Sequence, residues 1–482
     1  MNFRPIAFVT GALLSGLALA MTPAAVADLV DGNSNWLVFV AAAGVTLFVG
    51  VGLAVSCWQG AGFALSTRET FLLTTLSWAM LAAFAALPFT FADIQLSYTD
   101  AYFEAMSGLT TTGSTVIVGL DFATPGLLLW RALLQWLGGI GIVVTAIAVL
   151  PALGVGGMQL FRAEALEQNE KVLPRAAQIA TGIGGIYLGG TVLIAALYWA
   201  FGMNSFDAVT HAMTTISTGG YANYDSSFGV YEGATIPLIA TLGMVMGSLP
   251  FVAYLKAMRV SLRSALRDPQ IRGFFVGMGA FTLFVVLFRP WEGWENAPDF
   301  VAQSMFNVVS IMTGTGYVHG DFETWGPFTQ PFFLLLMFIG GCAGSTTCAI
   351  KIFRFQVLFA ASQSQLRRLA RPHRVAPARY AGKALTPETI NSVMAFFFLY
   401  IVCYAALAIG LSVTGVEGIT AISAAATAIS NVGPGLGPEV GPSGNFAGLP
   451  APAKWLLSIG MLAGRLELFT VLILLTPRFW QN

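Results

Sequence analysis

The sequence predicts an all-α polytopic membrane protein: four tandem helix–pore loop–helix repeats around a central pore, preceded by two extra transmembrane helices. Three observations predict it. The 482 residues are 56% hydrophobic and only 10% charged, with a mean hydropathy of +0.74, where a soluble domain carries roughly 25% charge. Apolar runs of about 20 residues, enough to cross a bilayer, recur along nearly the whole chain. Between those runs one short hydroxyl- and glycine-bearing motif occurs four times.

Residues 1–65 hold the two N-terminal spans. In the first, Arg4 followed by an apolar stretch and Ala25-Val26-Ala27 also fits a cleavable signal peptide; a retained helix over about 3–27 is the preferred reading. The second span covers 36–57. Further runs lie at 70–91, 127–150, 179–201, 235–254, 274–288, 331–353, 390–413 and 455–476. They frame pore repeats at 66–158, 172–264, 272–358 and 385–478, with a basic cytoplasmic linker at 359–384.

The connections between spans alternate in sign. One set carries Arg68, Arg162, Lys171, Arg175, Lys256, Arg259, Arg263, Arg267, Arg272, the Arg367–Arg374 cluster and Arg478. The other carries Asp93, Asp100, Asp121, Asp207, Asp225, Glu292, Glu295, Asp321, Glu323 and Glu439. The positive-inside rule places the first set in the cytoplasm. Any one outer acid is accounted for as loop solvation, but the whole set would also raise the local cation concentration at a pore mouth. The linker cluster serves as a topology signal and a contact for lipid phosphates, or as a docking surface for a partner. Cys57, Cys342, Cys348 and Cys403 sit in apolar segments without zinc spacing, so neither a disulfide nor a metal cluster is expected. His211, His319 and His373 fall in unrelated settings. Nucleic-acid binding has no support.

The repeated motif reads SGLTTTG at 107–113, TTISTGG at 214–220, SIMTGTG at 310–316 and TAISNVG at 427–433. The closing glycines, Gly113, Gly220, Gly316 and Gly433, are 107, 96 and 117 residues apart. Gly219 and Gly314 make the register of loops two and three ambiguous by a residue or two. Gly220 and Gly316 are chosen because each precedes a tyrosine, Tyr221 or Tyr317. The stretches 99–109, 206–216, 300–312 and 418–429 are too short to cross a bilayer and suit re-entrant helices.

This arrangement has a chemistry. A K⁺ filter replaces the hydration shell with rings of backbone carbonyls, in conformations that glycine accepts most readily. Each short helix would aim the negative end of its dipole at the cation. The candidate filter is Thr110, Thr111, Thr112 and Gly113; Ser217, Thr218, Gly219 and Gly220; Thr313, Gly314, Thr315 and Gly316; and Ser430, Asn431, Val432 and Gly433. K⁺ would bind at their carbonyls, with the Thr110, Ser217, Thr313 and Ser430 hydroxyls lining the inner end. One T-x-x-G turn is explained by helix packing alone; four in register are not. A single aligned glycine per loop predicts modest K⁺/Na⁺ discrimination.

The motif set resembles the Trk/Ktr/HKT superfamily of potassium transporters, most closely its bacterial TrkH branch, over about 66–478. The resemblance rests on TTTGS at 110–114, RALLQWLGGIG at 131–141, GGCAGS at 340–345 running to Lys351, SNVGPG at 430–435 and GRLE at 464–467. It implies K⁺ uptake across the bacterial inner membrane, a homodimer, and gating by a cytosolic ring of nucleotide-binding TrkA-type subunits. No organic cofactor is expected in this chain, which lacks a G-x-G-x-x-G dinucleotide fingerprint.

Two features beneath the filter gain roles from that resemblance. Gly340, Gly341, Cys342, Ala343, Gly344, Ser345, Thr346 and Thr347 weaken the span 331–353. Their spacing alone suits either an unwound segment or a small-residue packing face; the resemblance implies an intramembrane gate. Arg465, near the middle of the span 455–476, is costly in a membrane and should face water or a partner. The resemblance makes it an electrostatic barrier in the pore. Glu467, two residues on, is a poor local partner for it. Arg131 reads as an anchor near the outer end of its span, and Gln135 as a bond to pore-loop backbone.

Two alternatives stay open within transport: a K⁺ symporter coupled to Na⁺ or H⁺, with Glu104 and Glu467 as the candidate relay carboxylates, and a poorly selective Na⁺/K⁺ pore. An enzyme is disfavoured, because no H-E-x-x-H or G-x-S-x-G constellation is present.

Overall fold

A backbone in hydrocarbon has no water to bond, so it must satisfy its own polar groups, and helices do this within one segment. The computed structural model describes residues 1–58, 65–148, 176–291, 293, 297–371 and 376–481. Arg162, Lys171, Arg175, Glu292, Glu295, His373 and Arg374, and the expected junction between the first two repeats, lie outside the described residues. Among the described residues, seven helices are long and apolar enough to cross a membrane, or up to nine if each of two bent pairs is one span.

Helices α1 (Phe3–Ala20), α2 (Thr22–Asp31) and α3 (Trp36–Ser56) form the N-terminal unit. A Cβ on Gly11 would lie 2.6 Å from the Gly50 carbonyl oxygen, so α1 and α3 touch through backbone. The Asp28 carboxylate accepts from the Gly126 amide at 2.6 Å, tying this unit to the first repeat.

The four repeats follow. The first is α4 (Thr67–Ala85), pore helix α5 (Tyr98–Leu109) and α6 (Pro125–Ala148). The second is α7 (Ala176–Ala200), pore helix α8 (Ser205–Ile216), then α9 (Thr235–Ser248) and α10 (Phe251–Arg259), bent by 89°. The third is α11 (Pro269–Phe288), pore helix α12 (Ala297–Met312), α13 (Thr329–Met337) and α14 (Ile352–Ala370). The fourth is α15 (Pro387–Val413), pore helix α16 (Gly418–Ser430), α17 (Ala451–Arg465) and α18 (Phe469–Leu472). Ser97 and Asn204 cap α5 and α8 by accepting from the amides of Asp100 and Asp207, as short polar residues do at helix starts.

Two runs expected to be straight, 235–254 and 455–476, are corrected, and the weakened run 331–353 is interrupted. The run 235–254 breaks at Leu249-Pro250, because proline lacks the N–H a continuous helix needs. The run 331–353 is helical only to Met337 and resumes at Ile352. The run 455–476 turns by 111° at Leu466–Leu468, where Glu467 and Leu468 take φ of 64° and 45°. Arg465 therefore ends a helix instead of sitting inside one. The linker adds a small exception to the all-α prediction, a two-residue hairpin pairing Arg379 with Ala384 and Tyr380 with Lys383.

Candidate ion-conduction site

The four pore helices end alike. The residue two before each closing glycine is left-handed: Thr111 at φ 52°, Thr218 at 51°, Gly314 at 76° and Asn431 at 52°. The next amide then reaches back into the helix in loops one, two and four: Thr112 to Ser107 at 2.8 Å, Gly219 to Thr214 at 2.9 Å and Val432 to Thr427 at 3.0 Å. This is the hydrogen bonding of a Schellman termination, which satisfies carbonyls a helix end leaves open. Gly113, Gly220 and Gly316 follow at φ 87°, 81° and 80°. The motif's first hydroxyl closes the turn, Ser107 donating to the Ser114 carbonyl at 2.6 Å and Ser310 to the Tyr317 carbonyl at 2.7 Å.

The closing glycines meet one another. A Cβ on Gly113 would overlap the Gly219 carbonyl, and one on Gly220 the Thr315 carbonyl; one on Gly316 would lie 2.5 Å from the Gly433 amide. A Cβ on Gly433 would in turn lie 3.3 Å from the Gly113 carbonyl. The contacts run from loop one to two, two to three, three to four and four to one, which closes a ring. On its outer side lies a vestibule of about 270 Å³ lined by all four closing glycines.

The ring's polar groups point to its chemistry. Among the described residues, no hydrogen bond reaches the carbonyls of Thr111, Thr112, Thr218, Gly314, Thr315, Asn431 or Val432, all of them in buried residues. Buried carbonyls without partners are rare, and each calls for an explanation such as a bound ion. The inner hydroxyls each hold a hydrogen bond of their own, and a hydroxyl that donates keeps oxygen lone pairs for a cation. Thr110 donates to the Met106 carbonyl, Ser217 to Thr214, Thr313 to Ser310, and Ser430 bonds the Tyr400 hydroxyl.

Side chains behind the loops brace them. The Arg131 guanidinium is buried, pairs with Glu104 at 2.9 Å, donates to the Ala222 carbonyl at 2.7 Å and stacks on Tyr221 at 4.0 Å. The Gln135 amide donates to the Gly219 carbonyl at 2.6 Å and accepts from the Tyr221 amide at 2.9 Å. Several outer acids also serve as staples. Asp225 accepts from the Gly119 and Leu120 amides, Asp100 pairs with Lys454, and Glu323 accepts from the Gly437 amide. Tyr224 lines the vestibule and donates to Asp207 at 2.7 Å. Burial first, and then that carboxylate, pushes its hydroxyl up to about 12, so it stays a donor.

Below the ring lies the segment between α13 and α14. It is closed by a parallel bridge between Ile339 and Ile350 and contains all of residues 340–347. Thr346 bonds the Ile216 and Gly247 carbonyls at 3.1 and 2.9 Å and the Thr218 hydroxyl at 3.1 Å. The Ala349 amide donates to the Ser430 carbonyl at 3.0 Å. Arg465, 2% exposed, donates to the carbonyls of Thr346 and Gly138 at 3.1 Å each, linking this segment to α6. The cavity among Ser345, Cys348, Lys351, Tyr400 and Arg465 measures only about 20 Å³, close to one water. Glu467 pairs with the buried Arg354. Cys348, Ala349, Ile350 and Lys351 extend the unwound segment past the expected stretch. Ala349 at φ 54° gave no sequence signal, since alanine favours helices.

The comparisons with known proteins agree with this architecture. Residues 38–482 match the TrkH family, described as cation transport protein. The Trk system potassium uptake protein TrkI of Halomonas elongata is 44% identical over 484 residues, covering 100% of this chain and 98% of the relative. The TrkH protein of Vibrio parahaemolyticus, also named a Trk system potassium uptake protein, is 37% identical over the full length of both chains. The crystal structure of the potassium transporter TrkH from Vibrio parahaemolyticus superposes with a TM-score of 0.90 at 34% identity, covering 100% of each chain. The chain is an integral membrane protein and belongs to the TrkH family of cation transport proteins.

Proposed function

We propose that this chain takes up K⁺ across the bacterial cytoplasmic membrane through a gated, channel-like pore. The observation that carries the reading is the closed ring of four pore loops with buried, unpartnered carbonyls. A dehydrated monovalent cation needs such oxygens, and they need it. The filter comprises 110–113, 217–220, 313–316 and 430–433. The four pore helices end at it, and their dipoles favour a cation there.

The segment 340–347, extended to Lys351, is the gate, and Arg465 is the barrier that holds it. A positive charge beneath the ring repels the permeating ion, and its two carbonyl bonds tie the gate to α6. The channel-like reading is favoured over a coupled symporter because Glu104 and Glu467 are both held in ion pairs, with Arg131 and Arg354.

The relatives are named as potassium uptake proteins of a Trk system. We take this chain to act as a homodimer on a cytosolic ring of nucleotide-binding TrkA-type subunits. Helix α14 suits such docking: it ends in Arg367 and Arg368 and leaves Phe359, Leu366 and Leu369 exposed at 66%, 66% and 70%. Membrane lipids contact the remaining apolar surface.

The test is ⁸⁶Rb⁺ uptake into proteoliposomes with K⁺ and Na⁺ as competitors, beside a Gly113→Ser variant. K⁺ should compete well and Na⁺ several-fold less, and Gly113→Ser should abolish the difference. Wild-type protein that carries no ⁸⁶Rb⁺ even with its regulatory ring would sink the proposal.

A further inference from the structure

The carbonyls one residue before the four closing glycines are not equivalent, and one side chain makes the difference at that level. Thr112, Gly219, Thr315 and Val432 occupy the same place, one residue before the closing glycine of each loop. Three of their carbonyls accept no hydrogen bond from the described residues. The fourth, on Gly219, accepts from the Gln135 amide at 2.6 Å.

The side-chain orientation is fixed by its partners. The Tyr221 amide supplies a donor, so Gln135 must turn its oxygen there, and its NH₂ group faces the Gly219 carbonyl. Gln135 is fully buried on α6, where an unpaired amide would be costly. The Arg131 bond to the Ala222 carbonyl holds the same loop one turn away.

Glycine at position 219 follows from this contact. Gly219 has no positive φ, so conformation does not demand glycine. A Cβ there would collide with the Gln135 amide group. The equivalent positions in the other loops carry threonine or valine, and among the described residues none of their carbonyls accepts a side-chain hydrogen bond.

We infer that Gln135 is a selectivity-setting residue: by binding one carbonyl of the filter ring, it makes that ligand weaker and less mobile than its three counterparts at the same loop position. The inference rests on the pore reading above. The hydrogen bond draws electron density from the Gly219 oxygen and fixes its distance from the axis. Na⁺, the smaller ion, needs a stronger and closer oxygen field than K⁺. A tethered, partly engaged carbonyl therefore penalises Na⁺ more. Releasing it lets the ring contract around Na⁺. Gln135 does not touch the ion, so it is a positioning residue.

The experiment is competition of K⁺ and Na⁺ against ⁸⁶Rb⁺ flux in proteoliposomes, for wild type, Gln135→Met and Gln135→Glu. Met removes both hydrogen bonds at similar volume. Glu keeps the acceptor for the Tyr221 amide but removes the donor to Gly219. One hydrogen bond to a filter ligand predicts a roughly 5-fold loss of K⁺ preference over Na⁺, read as the ratio of the two competitors' effects and so independent of the absolute ⁸⁶Rb⁺ flux. Both variants should show the loss; if Gln135→Met does not fold, Gln135→Glu decides. An unchanged K⁺/Na⁺ preference in a folded, conducting variant overturns the inference and leaves the pore standing. Absence of flux in wild type overturns the pore instead.

Discussion

Alanine at each closing glycine should damage the protein in an order set by the ring's geometry. At Gly220 the added Cβ overlaps the Thr315 carbonyl most deeply, and at Gly113 it overlaps the Gly219 carbonyl. At Gly316 it meets the Gly433 amide at 2.5 Å, and at Gly433 the nearest atom is 3.3 Å away. The first three also hold φ near 80–87°, where a Cβ costs about 1–2 kcal/mol. Gly433 has no such φ. In the first two cases the clash displaces a carbonyl of the proposed filter. Losing one ion ligand of about 1.5–3 kcal/mol corresponds to roughly 10- to 150-fold in flux. Initial rates of ⁸⁶Rb⁺ uptake, normalised to folded protein, should fall in the order Gly220→Ala, Gly113→Ala, Gly316→Ala, with Gly433→Ala nearest wild type. Equal losses at all four, or the largest at Gly433, would refute the ring as the conducting element.

Three further outcomes are expected. Arg465→Ala removes a unit charge; a like charge roughly 8 Å away in an effective dielectric of about 20 opposes a cation by about 2 kcal/mol in general, so ⁸⁶Rb⁺ flux should rise on the order of 30-fold, and unchanged or lower flux contradicts the barrier. Glu467→Gln leaves the buried Arg354 without its carboxylate, which should cost about 3–5 kcal/mol and lower the melting temperature in detergent. Gly11→Leu forces α1 off the α3 backbone; overpacking of about 1–3 kcal/mol should lower the same melting temperature without altering ion preference.

What the sequence revealed and what it hid differ for physical reasons. The pore helices were legible because Ser107, Thr214, Ser310 and Thr427 recur at one distance from a glycine, and the hydroxyls at Ser107 and Ser310 each tie a loop end back to its helix. The ambiguous Gly219 and Gly314 were not resolvable by pattern. Gly314 takes the left-handed place that Thr111, Thr218 and Asn431 fill elsewhere, and Gly219 makes room for a side chain on another helix. Both reasons are tertiary. The partners of the inner hydroxyls were not legible either, because spacing fixes a residue's place in a loop but not which partner its side chain selects. Glu467 was discounted as a partner for Arg465, and the α17 bend then carried it to Arg354, 113 positions away in the chain.

The unwound segment between α13 and α14, proposed as the gate, shows how two local weaknesses in the sequence become one structure. Pro250 removes the N–H that the Met246 carbonyl would receive in a helix; the Tyr254 hydroxyl supplies that bond at 2.7 Å. At the same break the Gly247 and Ser248 carbonyls lose their helical donors. Thr346 and Cys342 amides of the unwound segment replace them, each at 3.1 Å, and the freed Phe251 amide donates to the Gly344 carbonyl at 3.0 Å. The break in repeat two and the unwound segment of repeat three thus satisfy each other, and neither is stable alone with its backbone groups in hydrocarbon. Pro250→Ala should shift the balance. A restored helix would return the Phe251 amide to the Gly247 carbonyl and the Val252 amide to the Ser248 carbonyl, releasing three anchors of the gate. The open fraction should then rise several-fold, at about 1 kcal/mol per exchanged bond, measured as ⁸⁶Rb⁺ flux without the regulatory ring. Flux equal to wild type, with the variant folded, would separate the break from the gate and leave the bend a matter of packing.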